Sequence, residues 1–218
     1  MRRLLGVAAA LALMAAPPAL ALFKPKTLSG NLDSDPNVEQ VKTVRVPDPS
    51  YPTDDTLAQT AVDVVDKCGS NTLEVRVAGP QEALITLKLV NADTRPGKEV
   101  FADLRSGASG RVGEIDLVAW RKGSSSQFCA QPRDLFKYTS RHPTRRPRGT
   151  VAMTDFIGVV KDFTRRFKGD ELRLSEGFAK RTDPLCCPTF EKTSFYRYDR
   201  AKDRYVRYSS KVTRNRTS

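Results

Sequence analysis

Basic and aromatic residues alternate near the end of the chain, in a pattern typical of surfaces that bind acidic polymers. Between Arg197 and Arg216 the sequence has eight lysines and arginines against two aspartates. Tyrosines lie among or just before them: Tyr196, Tyr198, Tyr205 and Tyr208. Guanidinium and ammonium groups pair with phosphates and carboxylates, and exposed rings stack on bases or sugars. We predict a polyanion-binding site with Arg197, Arg204 and Arg207. The alternative is a hairpin whose rings only cover the core.

A second basic segment, RHPTRRPRG, occupies residues 141–149. Its two prolines disfavour regular structure and indicate a loop. The arginines of this loop extend the predicted polyanion-binding site: Arg141, Arg145, Arg146 and Arg148. The alternative is an inert loop whose charges only contact water.

No pattern in the sequence predicts a catalytic residue, a metal ligand or a cofactor. The glycine-rich residues 103–114, DLRSGASGRVGE, match neither the dinucleotide-binding nor the phosphate-loop pattern, so we expect a loop between two strands. A cation site formed by Asp103 and Glu114 is the alternative for this segment. The only histidine, His142, lies in the basic loop without the neighbours that nucleophilic catalysis requires.

Paired carboxylates, which glycoside hydrolysis requires, are not recognisable from linear spacing. The acidic residues Asp170, Glu171 and Glu176 do not stand out from ordinary surface acids. A secreted hydrolase that acts on cell-wall polymers is therefore the alternative function, and a non-enzymatic protein is the leading hypothesis.

The first 21 residues have the pattern of a secretory signal peptide. Two arginines precede an uncharged apolar segment over residues 4–16, and Ala19-Leu20-Ala21 fits a signal peptidase site. The apolar segment is shorter than the roughly 20 residues that a membrane span needs, which disfavours a transmembrane anchor. It holds no cysteine for lipid attachment. We predict a secreted, extracytoplasmic protein.

Four cysteines follow the predicted signal peptide: Cys68, Cys129, Cys186 and Cys187. In an oxidising compartment four cysteines predict two disulfides. A bond between the adjacent Cys186 and Cys187 would strain the peptide between them, so we expect each to pair with Cys68 or Cys129. Both ways of pairing them remain open.

The hydrophobic pattern predicts one α+β domain over residues 54–210, built on an antiparallel sheet with one or two helices. Residues 22–53, with five prolines, are expected to form a flexible linker, and residues 211–218 a disordered tail. Helices are predicted over residues 53–67, where apolar residues recur at helical spacing, and over residues 154–167. No internal repeat is evident.

Alternating or continuous apolar residues predict the strands. They are expected near residues 73–77, 83–90, 100–104, 115–120, 136–138 and 172–174. Residues 193–198 and 204–208 are rich in aromatic residues and flank a polar turn, which predicts a β-hairpin.

Two segments resemble a known family. Residues 99–120, EVFADLRSGASGRVGEIDLVAW, and residues 183–206, DPLCCPTFEKTSFYRYDRAKDRYV, are similar to actinobacterial exported proteins of the LppP/LprE lipoprotein type. Asp183, Cys186, Cys187 and Pro188 match the Asp-x-x-Cys-Cys-Pro motif of that family. The resemblance implies an exported α+β module and supplies no catalytic residues.

Composition and charge suggest the partners. The chain is 39% hydrophobic, as expected for a folded protein, and its net charge of +12 favours acidic partners. Outside a cell these are anionic envelope polymers, and another exported protein is the alternative, whereas nucleic acid is not expected. The sequence thus predicts an envelope or extracellular binding module with a basic face.

Overall fold

The regular structure is entirely β-sheet wherever the chain is described. The computed structural model describes residues 25–48, 58–68, 70–81, 83–106, 112–122, 129–139, 148, 150–152, 166–168, 171–180 and 189–214. Within these residues the chain forms thirteen strands and no helix. The predicted α+β class is therefore wrong, and the described part of the protein is all-β.

The strands form three antiparallel sheets. Sheet I contains β1 (Thr27–Gly30), β2 (Glu39–Val46), β3 (Gln59–Cys68) and β4 (Asn71–Gln81). Sheet II contains β5 (Ala83–Val90), β6 (Glu99–Ser106), β7 (Val112–Lys122) and β8 (Ala130–Thr139). Sheet III contains β10 (Arg166–Lys168), β11 (Glu171–Ala179), β12 (Phe190–Asp199) and β13 (Arg204–Arg214), and the short β9 (Val151–Ala152) pairs with β11. Along each four-stranded order, every strand lies beside the next in the chain.

The three sheets stack as layers, with sheet II in the middle. A first core lies between sheets I and II, and its larger members include Leu32, Val41, Val62, Val64, Leu87, Leu104, Val118 and Trp120. A second core lies between sheets II and III, and its larger members include Phe101, Ile115, Leu117, Phe136, Tyr138, Leu172, Leu174, Tyr196 and Tyr205. Sheet II therefore buries both of its faces.

The sequence of β7 follows from this central position. Residues 115–120, IDLVAW, are all buried, although side chains alternate between the two faces of a strand. Ile115 and Leu117 pack in the second core, whereas Val118 and Trp120 pack in the first. A strand covered on both faces reads as a continuous apolar run.

Polar side chains also join the layers. The indole nitrogen of Trp120 donates a 3.0 Å hydrogen bond to Asp66 of sheet I. The hydroxyl of Tyr138 donates a 2.9 Å hydrogen bond to Glu176 of sheet III. Each bond satisfies a buried polar atom, which would otherwise cost stability.

The helix predicted over residues 53–67 is wrong, because its described part belongs to strand β3. Apolar residues at 61, 62, 64 and 65 fit both a helical and a strand period over so short a segment. In the structure Val62 and Val64 pack in the first core, and Asp63 between them lies on the opposite face. The β-branched valines favour this extended conformation. Most of the other predicted helix, 154–167, lies outside the described residues.

The predicted linker and tail are also partly wrong. Residues 27–30 and 39–46 form β1 and β2 of sheet I, despite the prolines of this segment. Val41 is fully buried in the first core, so this segment is part of the fold. Strand β13 extends to Arg214, so the predicted tail begins inside sheet III.

The remaining strands and the hairpin are confirmed. The apolar segments predicted between residues 73 and 138 lie within β4 to β8, and residues 172–174 lie within β11. The aromatic hairpin is formed by β12 and β13 around a turn at residues 200–203. Cys129 does not carry a free thiol, but Cys186, Cys187 and the side chain of Cys68 lie outside the described residues. The two disulfides therefore stay a prediction.

Candidate functional site

The predicted basic and aromatic site falls on the face of sheet III that points away from sheet II. Leu172, Leu174 and Tyr196 point into the second core, so their alternating neighbours form the opposite, outer face. We define the outer face by six residues: Glu171, Arg173, Phe195, Arg197, Tyr208 and Lys211. The strand register places Arg173 opposite Phe195, and Glu171 opposite Arg197.

Tyr208 points to this face because it lies three residues after the inward-facing Tyr205, and a bulge at Tyr208 then brings Lys211 to the same face. Phe195 pairs with Ser209 and Tyr196 pairs with Arg207, so Tyr208 is the extra residue between them. The Tyr208 side chain is 50% exposed, and its ring lies 6.3 Å from that of Phe195. A large ring is thus presented to solvent.

Guanidinium groups lie over both rings of the outer face. Arg197 lies 4.6 Å from the ring centre of Tyr208, and Arg173 lies 5.5 Å from that of Phe195. Such cation–π contacts hold an arginine flat and leave its N–H edge available to an anion. Glu171 accepts hydrogen bonds from the Tyr208 hydroxyl and from Arg173 at 2.6 Å, and these bonds lower its pKa.

The other predicted polyanion-binding residues do not all join this face. Arg204 and Arg207 are exposed on β13. Arg204 precedes the inward-facing Tyr205 and so points to the outer side, where it lies opposite Asp199 beside the turn. Arg207 pairs with Tyr196, whose ring points inward, so it lies on the other side of the strand. Arg148 is exposed, and the remaining predicted arginines of the loop, Arg141, Arg145 and Arg146, lie outside the described residues.

Sequence analysis missed Arg173 and Lys211 as members of the outer face. Lys211 is exposed and pairs with Thr193, two residues before Phe195 on the same strand. Arg173 could have been found from strand alternation, because it lies between two leucines of the core. Lys211 could not, because the bulge at Tyr208 reverses the alternation before it.

The carboxylates considered for hydrolysis do not converge. Glu171 and Glu176 are five residues apart on β11, and an odd separation places side chains on opposite faces. Glu171 belongs to the outer face, whereas Glu176 is buried and accepts from Tyr138. Asp170 and His142 lie outside the described residues.

The alternative cation site at Asp103 and Glu114 is not supported by the structure. Asp103 pairs with Arg105 at 3.2 Å, and Glu114 pairs with Lys137 at 3.0 Å. Basic side chains of the protein thus neutralise both carboxylates.

A second polar region lies at the turns that connect β1 to β2 and β5 to β6. Turn I comprises residues 31–38 and turn II residues 91–98, and each precedes a buried glutamate, Glu39 or Glu99. With that glutamate included, the two sequences are NLDSDPNVE and NADTRPGKE, which share Asn, Asp, Pro and Glu at equivalent positions. This repeat was not evident from the sequence, because the motif is short and the flanking strands differ.

The two turns share their internal hydrogen bonds. Glu39 accepts from the backbone N–H of Leu32, and Glu99 accepts from that of Ala92 at 2.6 Å. The carboxylate of Asp33 accepts from the N–H two residues later at 3.0 Å, and that of Asp93 does so at 2.6 Å. The turns also touch, since the N–H of Lys98 donates to the carbonyl of Asn31 at 3.0 Å.

Turn II is neutralised by basic residues. Arg121 donates to Asp93, whose side chain is fully buried. The Nε of Arg121 lies 3.8 Å from Asp203 of the β12–β13 turn. Arg95 lies 3.5 Å from the same aspartate. Burial raises the pKa of Glu99 to about 7, and the nearby charge of Asp93 adds to the effect while Arg121 opposes it.

Turn I instead gathers carboxylates. The oxygens of Asp33, Asp35 and Glu39 lie within 4.8 Å of one another. Burial raises the pKa of Glu39, and the charges of Asp33 and Asp66 raise it further. Burial also raises the pKa of Asp33, with contributions from Asp35 and Asp66 that Lys122 partly offsets.

No family model, no curated protein and no solved structure matches this chain. The resemblance to the LppP/LprE type therefore stays a prediction. None of the described residues belongs to a helix with the length and hydrophobicity of a membrane span.

Proposed function

We propose that the protein is a secreted, non-enzymatic binding module of the cell envelope or extracellular space, and that the outer face of sheet III binds an anionic polymer. The observation that supports this most directly is the Arg197 guanidinium stacked on the half-exposed ring of Tyr208. A fixed arginine loses less entropy on binding a phosphate or carboxylate than a mobile one does.

The charge balance of the outer face supports the same proposal. Glu171 is the one acidic member among the six, and Tyr208 and Arg173 already engage its two oxygens. Glu191 and Asp199 point to the same side nearer the two ends of β12. Arg197 and Lys211 add positive charge on the neighbouring strands. An extended anionic chain could contact charges on three strands while its uncharged parts pack on the two rings.

An apolar docking surface for another exported protein has less support. The large hydrophobic side chains that are strongly exposed within the described residues are Val38, Ile85, Tyr208 and Val212. They lie in turn I, on β5 and on β13, so they form no continuous patch of the kind that marks protein interfaces.

Retention on a resin that carries an anionic polymer tests the proposal. The double variant Arg197→Gln/Lys211→Gln removes two charges from the outer face. The matched control Arg45→Gln/Lys88→Gln removes two charges from exposed positions on sheets I and II.

We expect the native protein and the control to elute at similar salt concentrations, and the outer-face variant to elute much earlier. Two exposed contacts of about 0.5–1 kcal/mol each correspond to a loss of affinity of roughly five- to thirtyfold. Equal elution of the two double variants, or passage of the native protein at low salt, would refute the assignment of this face.

A further inference from the structure

Sheets I and II are structural equivalents. Lys42 pairs with Asp63 in sheet I, and Ala102 pairs with Asp116 at the same position of the ladder in sheet II. Lys42 is therefore equivalent to Ala102, and Asp63 to Asp116. Buried residues follow the same correspondence: Leu32 packs against sheet II as Ala92 packs against sheet III. Turn I and turn II are therefore two versions of one structure.

The two versions differ where charge must be balanced. Position 35 is an aspartate in turn I, and its equivalent in turn II is Arg95. Arg121 neutralises Asp93 in turn II, and the equivalent position on β3 is Cys68, which carries no positive charge. Turn I has thus exchanged two cations for an acid and a neutral residue.

No basic residue of the described chain replaces them. Among the ion pairs of the described residues, none involves Asp33, Asp35 or Glu39. Lys122 acts on Asp33 only at longer range. Three converging carboxylates without a paired cation repel one another.

A buried oxygen in this group has no hydrogen-bond partner. Glu39 is 0% exposed, and although its Oε2 accepts from Leu32, its Oε1 is unpaired. The charge of Asp66 raises the pKa of both Asp33 and Glu39, and Asp66 also has an unpaired buried oxygen, Oδ1. Unsatisfied buried carboxylate oxygens are costly, and a bound cation would satisfy them.

We propose that turn I binds one calcium ion through Asp33, Asp35 and Glu39, with the ion doing for turn I what Arg121 does for turn II. The donors are all oxygens, which hard divalent cations prefer, and a turn with backbone carbonyls and access to water suits the six to eight ligands of Ca²⁺. This inference does not depend on the proposed polymer binding.

The chain carries a built-in reporter for this site. Its only tryptophan, Trp120, donates to Asp66, which lies beside the carboxylate group. Tb³⁺ takes the same oxygen ligands as Ca²⁺, and a nearby excited indole transfers energy to it. Tb³⁺ added to chelator-treated protein should therefore luminesce on indole excitation, and Ca²⁺ should displace it.

The variant Asp35→Asn tests the site with little risk to the fold. Asp35 accepts from the N–H of Asn37 at 2.7 Å, and an asparagine oxygen can keep this bond. Asp134→Asn, on the exposed surface of β8, is the control with the same change of charge.

We expect the native protein and the control to bind one Ca²⁺ with a Kd of about 0.1–1 mM, as extracellular modules do. Asp35→Asn should weaken binding at least about tenfold, since it removes one of three charged ligands. At ten times the Kd, Ca²⁺ should raise the native melting temperature by about 3 °C.

Without calcium, Asp35→Asn should melt at the same temperature as the native protein or higher, because it removes a like charge from the group. The native protein should thus have the higher melting temperature with calcium, and Asp35→Asn the equal or higher one without it. This reversal distinguishes loss of a ligand from a damaged fold. No luminescence and no thermal shift in the native protein, or an undiminished response of Asp35→Asn, would overturn the site. Displacement of Tb³⁺ by Mg²⁺ as readily as by Ca²⁺ would overturn the assignment to calcium.

Discussion

The substitution Asp116→Asn should stabilise the protein at alkaline pH. Asp116 lies on β7 on the side that faces sheet I, where it is only 1% exposed. Lys137 lies 3.3 Å from it, but the same ammonium lies 3.0 Å from the more accessible Glu114. Burial raises the pKa of Asp116 to about 8, and the charge of Glu114 contributes while Lys137 opposes the shift.

The sign of the effect follows from linkage. A carboxyl group whose pKa is higher in the folded state favours folding when protonated, and this contribution is lost as pH rises from about 4 to about 8. A shift of this size corresponds to on the order of 2–5 kcal/mol, allowing for relaxation of Lys137 towards the ionised group. An asparagine has the same shape and never ionises, so it avoids this loss.

Urea unfolding at pH 4 and pH 9 measures the difference. The two proteins should have similar free energies of unfolding at pH 4, near the lower end of this window, and Asp116→Asn should be more stable at pH 9. The control is Asp63→Asn at the equivalent position of sheet I, where Arg76 donates at 2.9 and 3.3 Å. Loss of that ion pair should destabilise by about 1 kcal/mol. If Asp116→Asn were instead less stable than the native protein at pH 9, the buried group would be a stabilised anion and the reasoning would be wrong.

Two further substitutions test the contact between the turns and the layer order. Gly97→Ala should destabilise by about 2 kcal/mol, because Gly97 has a φ of +100° and an added Cβ would lie 2.4 Å from the Leu32 carbonyl. Gly30→Ala meets only the flexible end of Leu89 and should cost less in the same thermal melts. Leu117→Ala and Val118→Ala should each destabilise by about 2–4 kcal/mol in chemical unfolding, since adjacent residues fill different cores. Ile85→Ala is the control, because Ile85 is 57% exposed. A loss of stability for only one of Leu117→Ala and Val118→Ala would contradict a sheet that is covered on both faces.

The sequence predicts strands best where side chains alternate or where a short apolar run is bounded by turns. Residues 83–90 coincide with β5, and the aromatic hairpin coincides with β12 and β13. Prediction failed over β3, because a period of two and a period of 3.6 give similar apolar positions across five residues. It also failed over β1 and β2, where prolines and polar residues outweighed the apolar positions that the first core buries.

Part of the candidate site was predictable as chemistry, but not as geometry. The sequence identifies Arg197 and Tyr208 as a basic and an aromatic residue close together in one hairpin. It does not show that a bulge at Tyr208 reverses the alternation in β13, so that Lys211 joins Arg197 and Tyr208 on one face. A single extra residue changes which side chains share a face, and no composition rule reveals it.

The stack explains how two copies of one motif acquired different electrostatics. Equivalent residues of sheets I and II point in the same direction through the stack. The solvent-facing side of sheet I therefore corresponds to the side of sheet II that sheet I covers. Asp63 can therefore pair with the partly exposed Arg76, whereas Asp116 lies between layers, where ionisation is costly. The turns obey the same constraint: turn II, which contacts the β12–β13 turn, balances its charge with arginines of the protein. Turn I, which gathers three carboxylates without such a partner among the described residues, is the copy in which a cation from solution can take that place.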